Sequence, residues 1–250
     1  MKALIVANWK MYPPSFKEAK SLLEKTKKMA APLKKITLVI APPSIYLKDL
    51  AQGPRRASIA FAAQDAHYDV TGAHTGEISM GHVKDVKASH VIIGHAERRA
   101  KGETNEEVRK KVSASLTARL TPIVCIGESE RGSGAEHFAS VREQIRASLP
   151  DDVGKKLSKM IIAYEPVWAI GATKAIRPHD MHEMSIFIRK TLVEKYGSAG
   201  HGITILYGGA VDHINAADML KNGDVTGLLI GRASVDIAAF KDVLKAVSDA

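Results

Sequence analysis

The sequence predicts an α/β fold, a single (β/α)8 barrel running over residues 1–250. Three observations carry that prediction. Eight short runs rich in aliphatic and β-branched residues recur along the chain, at 3–7, 36–41, 59–63, 90–93, 122–126, 160–163, 203–206 and 227–230. Each run is continuously apolar, as strands of a parallel sheet are when both faces are covered. Segments of helical period separate the runs, and eight such units fill a chain of 250 residues, the usual size of a closed barrel. An open, doubly wound sheet uses the same alternation and stays as the alternative. No linker, low-complexity tract or shift in composition divides the chain.

The elements follow in order. After the first run, Ser15 and Glu18 stand three residues apart, the spacing of a capping box. Phe16, Ala19, Leu22, Leu23 and Met29 then fall on roughly one helical face. Thr104 and Glu107 repeat the capping pattern ahead of Val108, Val112 and Leu116. Pro178 opens a long amphipathic helix carried by Met181, Met184, Ile188, Leu192 and Val193, and residues 239–247 form the last helix. Cys125 lies inside the fifth strand and reads as a core residue.

Composition narrows the function. Hydrophobic residues at 45% and charged residues at 25% are ordinary for a folded globular chain. The net charge of +9 suits an anionic partner: a phosphorylated metabolite, a nucleic acid or an anionic lipid. No run of five like charges marks a nucleic-acid arm, and the aromatics do not interleave with the basic clusters as stacking platforms would. No apolar run approaches the ~18–20 residues of a membrane span, and the start MKALIVAN turns polar too soon for a secretory signal. A single cysteine cannot pair internally, so a reducing, cytoplasmic setting is expected.

In such barrels the chemistry sits just past the strands, at their C-terminal ends. Asn8-Trp9-Lys10 follows the first run, and Gly94-His95-Ala96-Glu97-Arg98-Arg99 the fourth. Lys10 there is either a cation aimed into the mouth or a surface lysine. His95 is an acid, an electrophile or a hydrogen-bonded filler, and the charges beside it suggest a shell that fixes a site. After the sixth run comes Glu165-Pro166-Val167-Trp168-Ala169-Ile170-Gly171. A carboxylate beneath an apolar, Trp-bearing loop suits a general base under a lid, while the alternative is a buried Trp anchoring an ordinary loop. Tyr207-Gly208-Gly209-Ala210 and Gly231-Arg232-Ala233-Ser234 follow the last two runs as small-residue turns leading into helices. Their backbone N–H groups could approach a phosphate closely, though turns use glycine everywhere. His179 and His182, three apart, lack a third ligand and read as solvated residues.

These segments resemble the triosephosphate isomerase family. The likeness rests on Asn8-Trp9-Lys10, on Gly72-Ala73-His74-Thr75-Gly76-Glu77-Ile78-Ser79, on Gly94-His95 with Glu97-Arg98-Arg99, on Cys125-Ile126-Gly127-Glu128, on residues 163–171 and on Tyr207-Gly208-Gly209. With the turn that ends at Ser234 they run in order from residue 8 to residue 234, nearly the whole chain. The resemblance implies an isomerase that interconverts dihydroxyacetone phosphate and D-glyceraldehyde 3-phosphate through an enediolate, in glycolysis and gluconeogenesis. It implies that Glu165 moves the proton between C1 and C2, that neutral His95 polarises the carbonyl, that Lys10 holds the developing charge and that Asn8 helps to place it. Phosphate would meet the backbone N–H groups of Gly171, Ala210, Gly231 and Arg232, with Glu97, Cys125 and Tyr207 standing behind the reacting groups. The resemblance further implies no metal and no organic cofactor, no nucleic-acid or membrane partner, a cytoplasmic location, and a homodimer in which the loop bearing Thr75 supports Lys10 of a second copy.

Several residues depart from the family pattern. Ala96 and Ala210 stand where serine is usual, Ala172-Thr173 replaces Thr-Gly, Ala175-Ile176-Arg177 replaces small residues, and Arg232 replaces a glycine and is expected to point to solvent. Asp65 and His74 are also uncommon choices. The departures fall on the lid, the phosphate turns and the loop of Thr75, and none falls on Lys10, His95 or Glu165. A lost neutral hydrogen bond is worth about 1 kcal/mol, small beside the ~8 kcal/mol or more that an enzyme supplies. The expectation is an active enzyme with an altered lid.

Overall fold

Every apolar run becomes a strand. The computed structural model describes residues 2–52, 59–132, 134–170 and 175–250. Among them, β1 (Ala3–Asn8), β2 (Ile36–Ala41), β3 (Ile59–Ala63), β4 (His90–Ile93), β5 (Thr121–Ile126), β6 (Ile161–Tyr164), β7 (Thr204–Tyr207) and β8 (Gly227–Ile230) pair in parallel and in chain order. β8 pairs back onto β1, with Leu4 opposite Gly227 and Ala7 opposite Ile230, so the sheet is a closed barrel and not an open one. Some strand ends differ from the apolar runs by one residue. The ladder decides these ends, not side-chain polarity: Asn8 is still opposite Ala41, and Tyr164 is opposite both Ile126 and Tyr207.

Around the barrel lie α1 (Phe16–Ala30), α2 (Ser44–Ala51), α3 (Met80–Asp85), α4 (Ala96–Arg99), α5 (Asn105–Thr117), α6 (Glu136–Ser148), α7 (Pro178–Tyr196), α8 (Ala216–Asn222) and α9 (Ile237–Asp249). Their starts follow the sequence signals. Ser15 accepts the Glu18 N–H at 3.2 Å, Thr104 and Glu107 complete a reciprocal capping box, and Pro178 occupies the first turn of α7. Phe16 is the exception on α1. The buried strip of that helix begins at Ala19, and Phe16 lies outside it, half exposed, with its ring 5.8 Å from that of Tyr46.

Two apolar layers result from the alternation along each strand. One, formed by Val6, Val39, Ala62, Ile92, Ile123 and Leu206 among others, fills the barrel; the other, larger one lies between strands and helices. A closed barrel with a filled interior leaves only its two ends open, and every strand exit is thereby brought to one end.

One polar cluster is built into this apolar frame. Lys111 on α5 is buried against Asp65, just past β3, at 2.9 Å, and against Glu103; Arg98 on α4 reaches Asp65 at 2.8 Å. Burial raises the Asp65 carboxyl above its ordinary value, against the pull of the Lys111 ammonium. The folded chain therefore holds that proton more tightly than the unfolded one. The contribution of this group to stability falls as pH rises from the ordinary carboxylate range through its folded value. Lys111→Met would leave Asp65 and Glu103 side by side with Arg98 alone, and a loss of about 3 kcal/mol is expected. Urea unfolding would measure it, and a midpoint equal to that of the parent chain would contradict this view of the cluster.

Candidate active site

The mouth is assembled from the first residues beyond β1, β3, β4, β6, β7 and β8. Asn8 ends β1 buried, and its Oδ1 accepts the Lys10 N–H at 3.0 Å. Lys10 has φ +52°, a left-handed backbone that a non-glycine residue holds only when its surroundings fix it. The surroundings do so here. Gln64, next after β3, donates through Nε2 to the carbonyls of Lys10 (2.7 Å) and Ala41 (2.9 Å). The turn thus fixed brings Lys10 Nζ to 2.5 Å from Glu97 Oε1. Burial pulls the Glu97 carboxyl up, but the hydrogen bond to Lys10 and the neighbouring positive charges together outweigh it and leave the group below its ordinary value.

His95 precedes α4 and caps it with its ring: Nδ1 accepts the Glu97 N–H at 3.1 Å. A nitrogen that accepts a backbone N–H carries no proton, so the imidazole is neutral and its proton sits on Nε2. That Nε2 lies 3.2 Å from Glu165 Oε1. Arg99 braces the same turn, donating to the Gly94 carbonyl (2.9 Å) and to Asn105 Oδ1 (2.7 Å), with its Nη2 toward the Cys125 carbonyl (3.4 Å).

Glu165, the first residue past β6, is 2% exposed. Its backbone N–H continues the ladder to the Ile126 carbonyl at 2.7 Å. One carboxylate oxygen lies 3.2 Å from His95 Nε2, and the other accepts the Ala96 N–H at 3.0 Å. The Ala96 backbone thus bonds the carboxylate at a position where the side chain carries no hydroxyl. Cys125 is buried alongside; burial and the neighbouring Glu165 carboxylate push its thiol well up, so it stays protonated. Two glycines make room for Glu165, one for its backbone and one for its side chain. A Cβ at Gly127 would fall 1.8 Å from the Glu165 carbonyl oxygen, and one at Gly208 would fall 2.9 Å from Glu165 Cγ.

The segment after Glu165 is anchored and exposed at once. Residues Val167–Ala169 form a 3-10 turn whose first N–H donates to the Glu128 carbonyl at 2.9 Å. The buried Glu128 carboxylate accepts Trp168 Nε1–H at 2.9 Å and the Tyr164 hydroxyl at 2.8 and 2.9 Å. Trp168 is nevertheless 41% exposed, so its indole is tied at one atom and open on its face. Gly171, Ala172 and Thr173 lie outside the described residues. The chain returns through Ile176, whose backbone faces the buried Tyr207 hydroxyl; burial pushes that phenol up to about 12, and the Ile176 contact holds it back.

The two phosphate turns differ from expectation in one respect. Ala210 lies six residues ahead of α8, its carbonyl accepting Asn215 Nδ2–H at 3.3 Å, and Gly231 opens only the 3-10 turn Arg232–Ser234. Neither turn runs directly into an α-helix, so the N–H groups expected to meet phosphate belong to turns and not to an α-helix terminus. Gly231 is close to Lys10, whose Cε would lie 3.2 Å from a Cβ there. The Arg232 side chain is exposed, in line with the expected solvent position. Thr75 is exposed on the loop between β3 and α3. Among the described residues the mouth holds no group of three His, Cys, Asp or Glu at metal-binding spacing; the one such group, His67, Asp69 and His74, is on the loop with Thr75.

A family model described as triosephosphate isomerase matches residues 3–247. The chain belongs to the triosephosphate isomerase family. It is 41% identical to the triosephosphate isomerase of Granulibacter bethesdensis, covering 98% of this chain and 99% of that one. It is 37% identical to that of Endomicrobium trichonymphae, over 98% of each. The crystal structure of triosephosphate isomerase from Bartonella henselae superposes with a TM-score of 0.84 at 32% identity, over 98% of this chain and 99% of that chain. Within this triosephosphate isomerase fold, Gln64 and Glu128 are site-building residues that strand-exit reasoning does not single out, whereas Arg99 belongs to the charged run past the fourth strand that it does. Gln64 stands directly past the third run, but an amide there has no chemical signature of its own until its two carbonyl partners are seen.

Gly208→Ala would press on Glu165 Cγ and shift the carboxylate by roughly half an ångström. A fall in kcat of about tenfold is expected with an unaltered fold. A kcat equal to that of the parent chain would show that the carboxylate tolerates displacement.

Proposed function

We propose that Glu165, His95 and Lys10 carry out the family's reaction at this mouth, the interconversion of dihydroxyacetone phosphate and D-glyceraldehyde 3-phosphate in glycolysis and gluconeogenesis. One contact supports the assignment above all: a neutral imidazole, proton on Nε2, facing a buried carboxylate at 3.2 Å. That pair has what a proton shift between adjacent carbons needs, a base for the C–H and a donor for the carbonyl oxygen.

Without substrate each group occupies the other. On binding, the substrate oxygen takes the His95 Nε2–H in place of Glu165, and the carboxylate exchanges the Ala96 N–H for the C1 hydrogen. Charge then develops on the oxygens of the enediolate, where Lys10 and the His95 donor act. The hydroxyl proton then passes from O1 to O2, with His95 Nε2 giving one proton and taking the other, and return of the carbon proton from Glu165 to C2 gives the aldose; the reverse path gives the ketose, so one carboxylate serves both directions without an external acid. Asn8 sets the Lys10 backbone. Cys125, which stays a thiol, lies beside the base, Glu97 holds Lys10, and Tyr207 supports the returning limb of the lid. Backbone N–H groups at Gly171, Ala210, Gly231 and Arg232 receive the phosphate. Closure of residues 166–176 excludes water, which otherwise promotes loss of phosphate from an enediol phosphate, and the remote phosphate supplies the binding energy for closure.

A homodimer fits the same reading. Met11, 90% exposed, stands with Tyr12 and Phe16 beside Lys10, and Val70 and Ile45 are also exposed apolar groups. A second copy bringing the loop of Thr75 against that patch would cover it and brace the Lys10 turn. Sedimentation at micromolar concentration is expected to give the mass of two chains; a monomer alone would count against the dimer. No helix among the described residues is long and apolar enough to cross a membrane, and a cytoplasmic location is part of the proposal.

The decisive measurement is a coupled assay with triose phosphate. The parent chain is expected to isomerise it. Glu165→Asp, which withdraws the base by one methylene, is expected to lower kcat about 100-fold with thermal unfolding unchanged. A folded parent chain that leaves glyceraldehyde 3-phosphate unchanged would defeat the proposal.

A further inference from the structure

The four residues proposed to receive the phosphate differ in what else they offer. Gly171, Ala210 and Gly231 have no side-chain donor, so each gives a neutral backbone N–H alone, whereas Arg232 adds a guanidinium to its own N–H. We propose that the Arg232 guanidinium is a further substrate-binding group of this mouth, which pairs with the phosphoryl end and tunes the affinity for phosphorylated substrate. The inference rests on the phosphate placement proposed above and goes beyond it, because it gives a role to the side chain and not to the turn.

The turn is fixed while the side chain is uncommitted. The buried Ser234 hydroxyl donates to the Gly231 carbonyl at 2.7 Å and lies 3.4 Å from the Asn8 carbonyl, and the Ser234 N–H donates to the Gly231 carbonyl at 2.9 Å. These bonds tie the turn to the end of β1, beside Lys10. The Arg232 side chain, by contrast, is exposed and has no hydrogen bond, ion pair or ring contact among the described residues. The next carboxylate along the chain, Asp236, is engaged elsewhere: its Oδ1 caps α9 by accepting the Ala238 and Ala239 N–H groups at 2.9 and 3.0 Å.

The other cations described around the rim have partners. Lys10 Nζ is held at 2.5 Å by Glu97, Arg98 pairs with Asp65 at 2.8 Å, and Arg99 bonds the Gly94 carbonyl and Asn105. At the phosphate turns Arg232 is thus the cation without an anion of its own. A guanidinium suits the task, since its planar fork matches two phosphoryl oxygens and it is more weakly hydrated than an ammonium. An exposed pair is worth little by itself, about fivefold in binding at most. Here it adds to backbone donors that hold the same anion. Exposure also makes the effect sensitive to salt and gives the charge a share in drawing the anion to the mouth.

The test compares the full parent chain with Arg232→Gln, which keeps a polar side chain without the charge, and Arg232→Lys, which restores a charge. Two quantities are read: kcat and KM for glyceraldehyde 3-phosphate, and Kd for inorganic phosphate by calorimetric titration. Arg232→Gln is expected to raise KM and the phosphate Kd about fivefold at ~20 mM ionic strength, with kcat within about twofold of the parent. Both ratios should fall toward one at about 0.5 M salt, and Arg232→Lys should recover most of the loss. Lys245→Gln removes an exposed charge on α9 and should match the parent. Parent values in Arg232→Gln overturn the inference. So do an equal effect from Lys245→Gln, a loss that ignores salt or survives in Arg232→Lys, and a fall in kcat alone, each of which reports net charge or turn geometry. The phosphate titration needs no turnover. A parent chain that binds phosphate through Arg232 yet leaves glyceraldehyde 3-phosphate unchanged therefore defeats the proposed reaction and keeps this inference, while an active chain indifferent to Arg232→Gln does the reverse.

Discussion

A single backbone hydrogen bond, from the Glu97 N–H into Nδ1 of His95, sets the terms for everything around it. It fixes the tautomer, and the tautomer fixes what the other face of the ring can do. With the proton confined to Nε2, the imidazole can only donate toward the mouth, and it enters the site uncharged. A charged imidazole would bind the Glu165 carboxylate as an ion pair and hold it from the substrate; a ring with the opposite tautomer would oppose two lone pairs. The bond in turn depends on α4 beginning where it does, one residue past His95, and on Arg99 bracing Gly94 from behind.

The barrel supplies the rest by closure. Lys10, Gln64, His95, Glu165, Gly208 and Gly231 are far apart in the chain, yet each lies within two residues of a strand end, and in a closed parallel barrel all such ends meet on one rim. Backbone ladders carry the precision. Glu165 is placed by a rung from its own N–H to Ile126; its backbone passes where Gly127 has no side chain, and its side chain lies where Gly208 has none. At the rim, strain enters at the left-handed Lys10, and three hydrogen bonds around that turn hold it.

Much of this is legible in the sequence because apolar continuity marks a strand and the barrel turns the next residue into a rim residue. Lys10, His95 and Glu165 follow from that rule together with their chemical types. Gln64 obeys the same rule, yet an amide past a strand carries no signature until its two carbonyl partners are in place. Glu128 is less visible still, since its meaning lies in Tyr164 and Trp168, 36 and 40 residues further on. Ala96 is the instructive departure: the missing hydroxyl suggests a loss, while the structure shows the backbone N–H already bonding the carboxylate. Phe16 shows the reverse case, an apolar residue in register with a buried face whose position at the helix start leaves it outside the strip.

The Glu128 carboxylate gathers the Tyr164 hydroxyl and the Trp168 indole around one buried charge. The described part of the lid proposed above, residues 166–170, is therefore latched at Trp168 and not loose. Releasing the indole forfeits a bond to a charged acceptor, roughly 1.5–3 kcal/mol, while Tyr164 keeps the abandoned carboxylate solvated from within. A ligand can swing the lid only by gripping its shut posture more strongly than its resting one. Small aldehydes without a phosphoryl handle lack that grip, so the latch acts as a sieve for substrate and, on the way out, as a clock for product.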